Sequence, residues 1–271
     1  MRTIAGEFNW VGSRENFVDC PNVLALEHVV VGRFGGNSSA GQVKNEDGCL
    51  VWINEQEDWE FVVMLDAHNT AESAEKVLEQ VEANKGSIEN LLNRQLTAEF
   101  FKSLEKTILA LFQNEEFRSV CRTTQGETAC LIAARKGKYI WWFSVGDCLL
   151  YLFHPELVEF GQYQLNQRQF YEWIGQVNTF EGPVPCYSSG TKELRQGDNH
   201  LFITTDGLVE CPNEPFAQPE AILEQFAGNS NEQGVKHLLK TIQENGVRDS
   251  TTIVSWKVWI AEKAAIASNQ T

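Results

Sequence analysis

The chain has 271 residues, near the upper size for one hydrophobic core, and 42% of them are apolar. It carries 37 acidic against 22 basic side chains, a formal charge of −15, and so negative a surface repels phosphate backbones and argues against nucleic-acid binding. No run is apolar enough for a membrane span, the first residues lack the apolar stretch of a secretion signal, and the seven cysteines contain no C-x-x-C pair, which points to reduced, mostly buried thiols in a cytoplasmic protein.

Residues 1–28 mix Asn, Gly, Pro and aromatic side chains without clear period and read as an extension packed on a domain spanning 29–260. Val29-Val30-Val31-Gly32 opens the first strand, and residues 35–41 form a flexible turn. That turn has no nucleotide-loop spacing and no Lys-Ser/Thr pair after it, so an ordinary loop is expected. Two apolar runs, 49–53 and 59–65, flank a short acidic loop, the pattern of an antiparallel hairpin. Asp47 precedes the first run and Asp66 follows the second, so both fall at one end of the hairpin.

Ala74, Val77, Leu78 and Val81 mark one face of an amphipathic helix. A second periodic stretch, 87–112, runs through Leu91, Leu96, Phe100, Leu104 and Ile108 and is one long helix or two. The period then becomes strand-like: 127–135 and 138–145 flank a turn at Lys136-Gly137, and 148–153 follows Gly146-Asp147. Residues 154–199 are irregular, with a short helix near 167–174. A strand at 200–205 ends on Asp206, helices are expected over 219–226 and 231–245, the second stopped by Gly246, and Asp249 opens a last strand at 251–260. Residues 261–271 read as a tail.

Four carboxylates thus stand at strand ends: Asp47 and Asp249 before strands, Asp66 and Asp206 after them. In an antiparallel sheet the end of one strand lies beside the start of its neighbour, so all four can meet at one edge, with Asp147 joining from a turn. Oxygen-only ligand sets suit Mg²⁺ or Mn²⁺ better than zinc. Two such ions roughly 3.5–4 Å apart can share a hydroxide and clamp a phosphoryl group. His68, two residues past Asp66, is then placed to protonate a leaving alkoxide. Taken singly, each Asp at a strand end is an ordinary turn residue; only their joint order points to a metal centre.

That order resembles the successive motifs of the metal-dependent type 2C serine/threonine protein phosphatases, the PPM family. The matching segments are Lys44-Asn45-Glu46-Asp47, Asp66-Ala67-His68, Gly126-Glu127-Thr128-Ala129, Ser144-Val145-Gly146-Asp147, Thr204-Thr205-Asp206-Gly207-Leu208 and Arg248-Asp249-Ser250. The resemblance implies an α+β fold, a four-layer α-β-β-α sandwich with two central antiparallel sheets and a binuclear Mn²⁺ or Mg²⁺ site at one edge. By position Asp66 would bridge the metals, the Ala67 carbonyl would bind one, and Asp206 and Asp249 would be ligands of the other. Glu46 and Asp47 would act through bound water, His68 as the general acid, and 154–199 as the family's variable flap.

The chain also departs from the pattern. Gln42 stands where the family usually has an arginine that grips the substrate phosphate, leaving Lys44 or Arg33 to compensate. Ala67 replaces a glycine, Ser250 an asparagine, and Thr124-Gln125 stand where bacterial relatives carry an aspartate for a third metal. Asp147 and Glu210 are the acids left for a third ion. The leading expectation is a monomeric phosphomonoester hydrolase acting on phosphorylated proteins or peptides, with no nucleic-acid or membrane partner. The alternative is a catalytically weak relative that binds a phosphorylated partner or regulates another protein.

Overall fold

Alternation of side chains across β-strands builds the molecule, whose computed structural model describes residues 6–266. One sheet runs in the order β1 (Gly6–Val11), β4 (Gly48–Asn54), β5 (Trp59–His68), β6 (Glu127–Lys136), β7 (Tyr139–Val145), β10 (Ser188–Glu193), with the short β9 (Ile174–Gly175) also on β6. The other runs β2 (Asn22–Leu26), β3 (Val29–Phe34), β12 (Thr251–Ile260), β11 (Gly197–Thr204), β8 (Leu149–Phe153). All of these pairings are antiparallel.

Successive residues of β5 point to opposite faces. Phe61, Val63, Leu65 and Ala67 pack beneath α1 (Glu72–Ala83), α2 (Lys85–Leu92), α3 (Phe100–Phe112) and α4 (Glu115–Cys121). Val62 and Met64 face the second sheet and meet the layer of Leu201, Ile203, Val254 and Trp256. The outer face of that sheet, with Phe202 and Ile253, is covered by α6 (Pro219–Glu224) and α7 (Asn231–Glu244), while α5 (Pro155–Val158) is a single turn. The result is the expected four-layer α-β-β-α sandwich. Burying Val235, Leu238, Leu239 and Ile242 on α7 contributes roughly 1.5–3 kcal/mol per side chain, well above any helix propensity. A capping box of Ser230 and Gln233 starts that helix, and Gly246, at φ +72°, ends it.

The structure departs from the sequence expectations in three places. Within the expected extension at 1–28, β1 and β2 are edge strands of the two sheets, so the described part of that segment is integral to the sandwich; residues 1–5, and 267–271 of the tail, lie outside the described residues. Edge strands are paired on one side only and are half solvated, which blurs their alternation. Of the two alternatives open for 87–112, the structure has two helices, parted where Asn93 accepts a hydrogen bond from Trp59 Nε1 at 2.8 Å. Residues 167–174 are not helical, and 154–199 contains β10, a polar edge strand (Ser-Ser-Gly-Thr-Lys-Glu) with no hydrophobic signature. Asp66, Ala67 and His68 do not follow β5 but belong to it, because β6 continues the pairing to His68↔Glu127 beyond the end of β4.

The seven cysteines are unpaired and five are buried. No helix among the described residues is long and apolar enough to cross a membrane.

Candidate metal centre

The acidic residues come from both sheets. Asp66 shares the face of β5 that carries Val62 and Met64, so its carboxylate enters the gap between the sheets. Asp47, just before β4, is on the same side. Asp206 leaves β11 in a 3₁₀ turn (Asp206–Leu208), and Asp249 precedes β12. Asp147 lies in the link that carries the chain from β7 in one sheet to β8 in the other. Neighbouring strands thus bring the acids together within each pair, β4–β5 and β11–β12, and the stacking of the sheets joins the pairs.

Two threonines of the second sheet clamp the first sheet's aspartate. Thr252 Oγ1 donates to Asp47 Oδ2 at 2.7 Å and Thr205 Oγ1 donates to the same oxygen at 3.2 Å. Carboxylate oxygens of Asp66, Asp147 and Asp206 all lie within 4.8 Å of one another. Glu46, Ala67, His68, Glu210 and Asp249 line an adjoining cleft of about 480 Å³, together with Gln42 and Lys44. Every residue singled out in the sequence as a metal ligand or acid thus borders one region.

Glycines hold the backbone there. Gly126 has φ +93°, and a Cβ on it would fall 2.1 Å from the His68 carbonyl oxygen; Gly146, at φ +86°, would meet Ala129 Cβ at 2.5 Å. Only glycine permits both the left-handed conformation and the close approach that carry the chain past His68 and into Asp147.

Asp47 is 1% and Asp66 4% exposed. Burial pushes both carboxyls well above the usual carboxylate range; the hydrogen bonds from Thr252 and Thr205 partly oppose this at Asp47, while repulsion from neighbouring aspartates adds to it at both. Burial, reinforced by Asp249, Asp147 and Glu210, lifts Asp206 to about 7. Asp249 reaches solvent at the mouth yet is also raised, chiefly by desolvation, against the Ser250 N–H that it accepts at 2.9 Å. Asp47 Oδ1, Asp66 Oδ2 and Asp147 Oδ1 are buried without a hydrogen-bond partner. Repelling carboxylates with orphaned oxygens fit a hard divalent cation, whose charge removes both costs at once.

The cations are arranged less as the sequence suggests. Lys44 Nζ is 2.5 Å from Glu46 Oε1 and also donates to the Asn69 carbonyl, so its charge is committed. Gln42 Oε1 accepts from the Val43 N–H at 3.1 Å. Arg33 is buried under Phe8, Trp10 and Phe17 and donates to Asn22, which makes it a packing group rather than a phosphate ligand. Arg248 lines the cleft and has no carboxylate partner among the described residues. Sequence reading missed Arg168, whose Nη2 is 2.6 Å from Glu210 Oε1, 3.4 Å from Asp206 Oδ2 and 3.7 Å from Asp147 Oδ2. One signal was available: it is the lone Lys or Arg between Lys138 and Lys192.

A sandwich of two antiparallel sheets between helical layers, with acids gathered at one end, is the fold of the PPM-type, or type 2C, serine/threonine phosphatases, and this chain has that fold. Individual solved structures carry the assignment. A variant of a bacterial serine phosphatase matches with a TM-score of 0.61 at 15% identity, over 95% of this chain and 99% of that one. The phosphatase Stp1 of Staphylococcus aureus matches with 0.57 at 14%, over 95% and 96%. RsbX in complex with magnesium matches with 0.54 at 15%, over 88% and 100%. No family model and no curated protein matches the sequence.

Proposed function

We propose that the protein is a metal-dependent phosphomonoester hydrolase acting on phosphoserine or phosphothreonine in proteins. The observation that carries this reading is the convergence of Asp47, Asp66, Asp147, Asp206 and Asp249 from both sheets, with orphaned buried oxygens, beside His68. Two divalent cations, Mn²⁺ or Mg²⁺, would be held by Asp66, the Ala67 carbonyl, Asp206 and Asp249, with Glu46 and Asp47 contributing through water. Such a pair supplies Lewis-acid charge at the phosphoryl oxygens and a water of lowered pKa.

The remaining chemistry falls to the chain itself. Thr205 and Thr252 fix Asp47 through Oδ2, leaving Oδ1 buried and without a hydrogen-bond partner. His68, at the mouth of the cleft, gives its proton to the leaving alkoxide. Its ring sits edge-on to Trp173, with centroids 6.3 Å apart, which restricts its swing. Arg248 supplies the guanidinium that Gln42 lacks and grips the phosphate oxygens as a charge-assisted donor.

The test is hydrolysis of a phosphoserine peptide and of p-nitrophenyl phosphate across a Mn²⁺ titration, with Asp206→Asn alongside. Metal-dependent turnover that Asp206→Asn removes is expected. Turnover that survives the substitution, or needs no metal, sinks the reading. Metal-dependent peptide binding without turnover, seen by calorimetry, favours the phosphopeptide-binding alternative that Gln42 suggests.

A further inference from the structure

Arg168 is a built feature of the cleft rather than a stray surface charge. Just before it, Asn166 is buried and fully used: it accepts from the Leu150 N–H at 2.8 Å, and its Nδ2 donates to the Cys148 carbonyl at 2.7 Å and to Ser144 Oγ at 3.1 Å. Just after it, the Gln169 N–H donates to the Gly146 carbonyl at 2.8 Å. Both anchors grip the strands and turn that flank Asp147. The backbone therefore has little choice but to present Arg168 there. The Phe170 ring, 4.8 Å from the guanidinium carbon, supports it from the outer side. Its Nη2 meets Asp147, Asp206 and Glu210, and its Nε is buried without a partner.

Charge decides what else can share this place. With Glu46 paired to Lys44, six carboxylates remain: Asp47, Asp66, Asp147, Asp206, Glu210 and Asp249. Two divalent ions and one guanidinium nearly neutralise them. A third divalent ion at Asp147 would sit against the guanidinium, and like charges at such range repel strongly in a desolvated site.

We propose that Arg168 is a resident cation of the acidic centre, which closes the Asp147–Asp206–Glu210 side to a third divalent ion and pins the preceding and following chain to the cleft. The proposal rests on the two-metal reading above. In this role Arg168 is a positioning residue. It fixes the number of metal ions at two and couples attachment of the segment 154–178 to the charge state of the cleft. Asp147 and Glu210, expected from sequence to serve a third ion, are instead its counter-ions.

The test counts Mn²⁺ per chain by equilibrium dialysis and elemental mass spectrometry for wild type, Arg168→Gln and Arg168→Lys. It also follows chymotrypsin cleavage at the exposed Phe170 and Tyr171. Two ions are expected in wild type and in Arg168→Lys, three in Arg168→Gln. In chelator, Arg168→Gln should be cut severalfold faster than wild type, and Mn²⁺ should slow that cleavage. Three ions in wild type or in Arg168→Lys, or two in Arg168→Gln, overturn the proposal while leaving the two-metal reading intact. No bound Mn²⁺ in wild type overturns that reading and this proposal with it. Should Arg168→Gln fail to fold, the wild-type and Arg168→Lys counts still decide.

Discussion

The two ends of β5 treat a buried carboxylate in opposite ways. Glu60 and Asp66 lie on the same face of one strand and are 1% and 4% exposed. At Glu60, burial alone would raise the pKa, but bonds from His28, whose Nε2 is 2.9 Å away, and from Arg135, whose Nε donates at 2.6 Å, outweigh it and hold the carboxyl below its usual range. Arg135 also pairs with Asp58. Asp66, about six residues and ~20 Å further along, meets only other aspartates, and burial drives it upward. One buried acid is thus satisfied within the fold and the other is not, which is the pattern the proposed metal centre requires. The contrast separates architecture from chemistry without reference to any relative.

The largest expected effect breaks the unsatisfied end. Asp66→Asn should lower metal-dependent turnover by at least about a thousandfold, the scale of removing preorganised charge stabilisation, yet raise the thermal midpoint of the chelated protein by easing repulsion. A fall in that midpoint would show Asp66 to be structurally paired. At the satisfied end, Arg135→Ala should cost about 3–5 kcal/mol in urea unfolding, because it leaves the buried Glu60 without its guanidinium partner, with activity retained in the fraction that remains folded. A cost under about 1 kcal/mol, the surface-pair scale, would remove the distinction.

Proton linkage sharpens the comparison. A folded-state pKa raised above its unfolded value gives stability that is full below the unfolded value and lost as pH rises through the folded one. Asp206, lifted from 3.8 to about 7, therefore makes the chelated protein less stable across that interval. Glu60 is lowered, so its contribution is present above 4.5 and is lost as pH falls through its folded value. The gain in thermal midpoint on adding Mn²⁺ should accordingly grow from pH 5 to pH 8, and Glu60→Gln should flatten the acid limb alone. A Mn²⁺ gain independent of pH would contradict the assignment of Asp206. The smallest expected effect is at the mouth: Arg248→Ala should raise KM for a phosphopeptide about tenfold, one charge-assisted hydrogen bond, with kcat little changed. An unchanged KM would return the phosphate to Lys44.

The parts legible in the sequence were those written as local pattern. The apolar run Phe61 to Leu65 before Asp66, and the β-branched run after Asp249, each place an acid near one end of a strand, although β5 itself runs on through Asp66 to His68. Which acids face which could not be read that way, because Asp47 meets Thr205 and Thr252 across the sheet interface, and stacking is a property of two sheets together. Arg168 stood out in the sequence only as an isolated cation, and its place in the cleft was hidden for a related reason. Its placement depends on Asn166 and Gln169 gripping backbone groups of residues 146–150, and such contacts leave no period in the chain. The edge strands β1, β2 and β10 hid because one solvated side erases alternation.

The alternation of β5 has one more consequence. A slip of one position against β6 would turn Asp66 toward the helices and bring the Ala67 methyl inward in its place. Such a molecule could keep much of its secondary structure and compactness yet lose the gathering of Asp66 with Asp147 and Asp206. On the proposed metal-dependent reading, Mn²⁺ affinity would report, in a single titration, whether the strands have found their correct alignment, and a freshly refolded sample could be graded by it before any substrate is added.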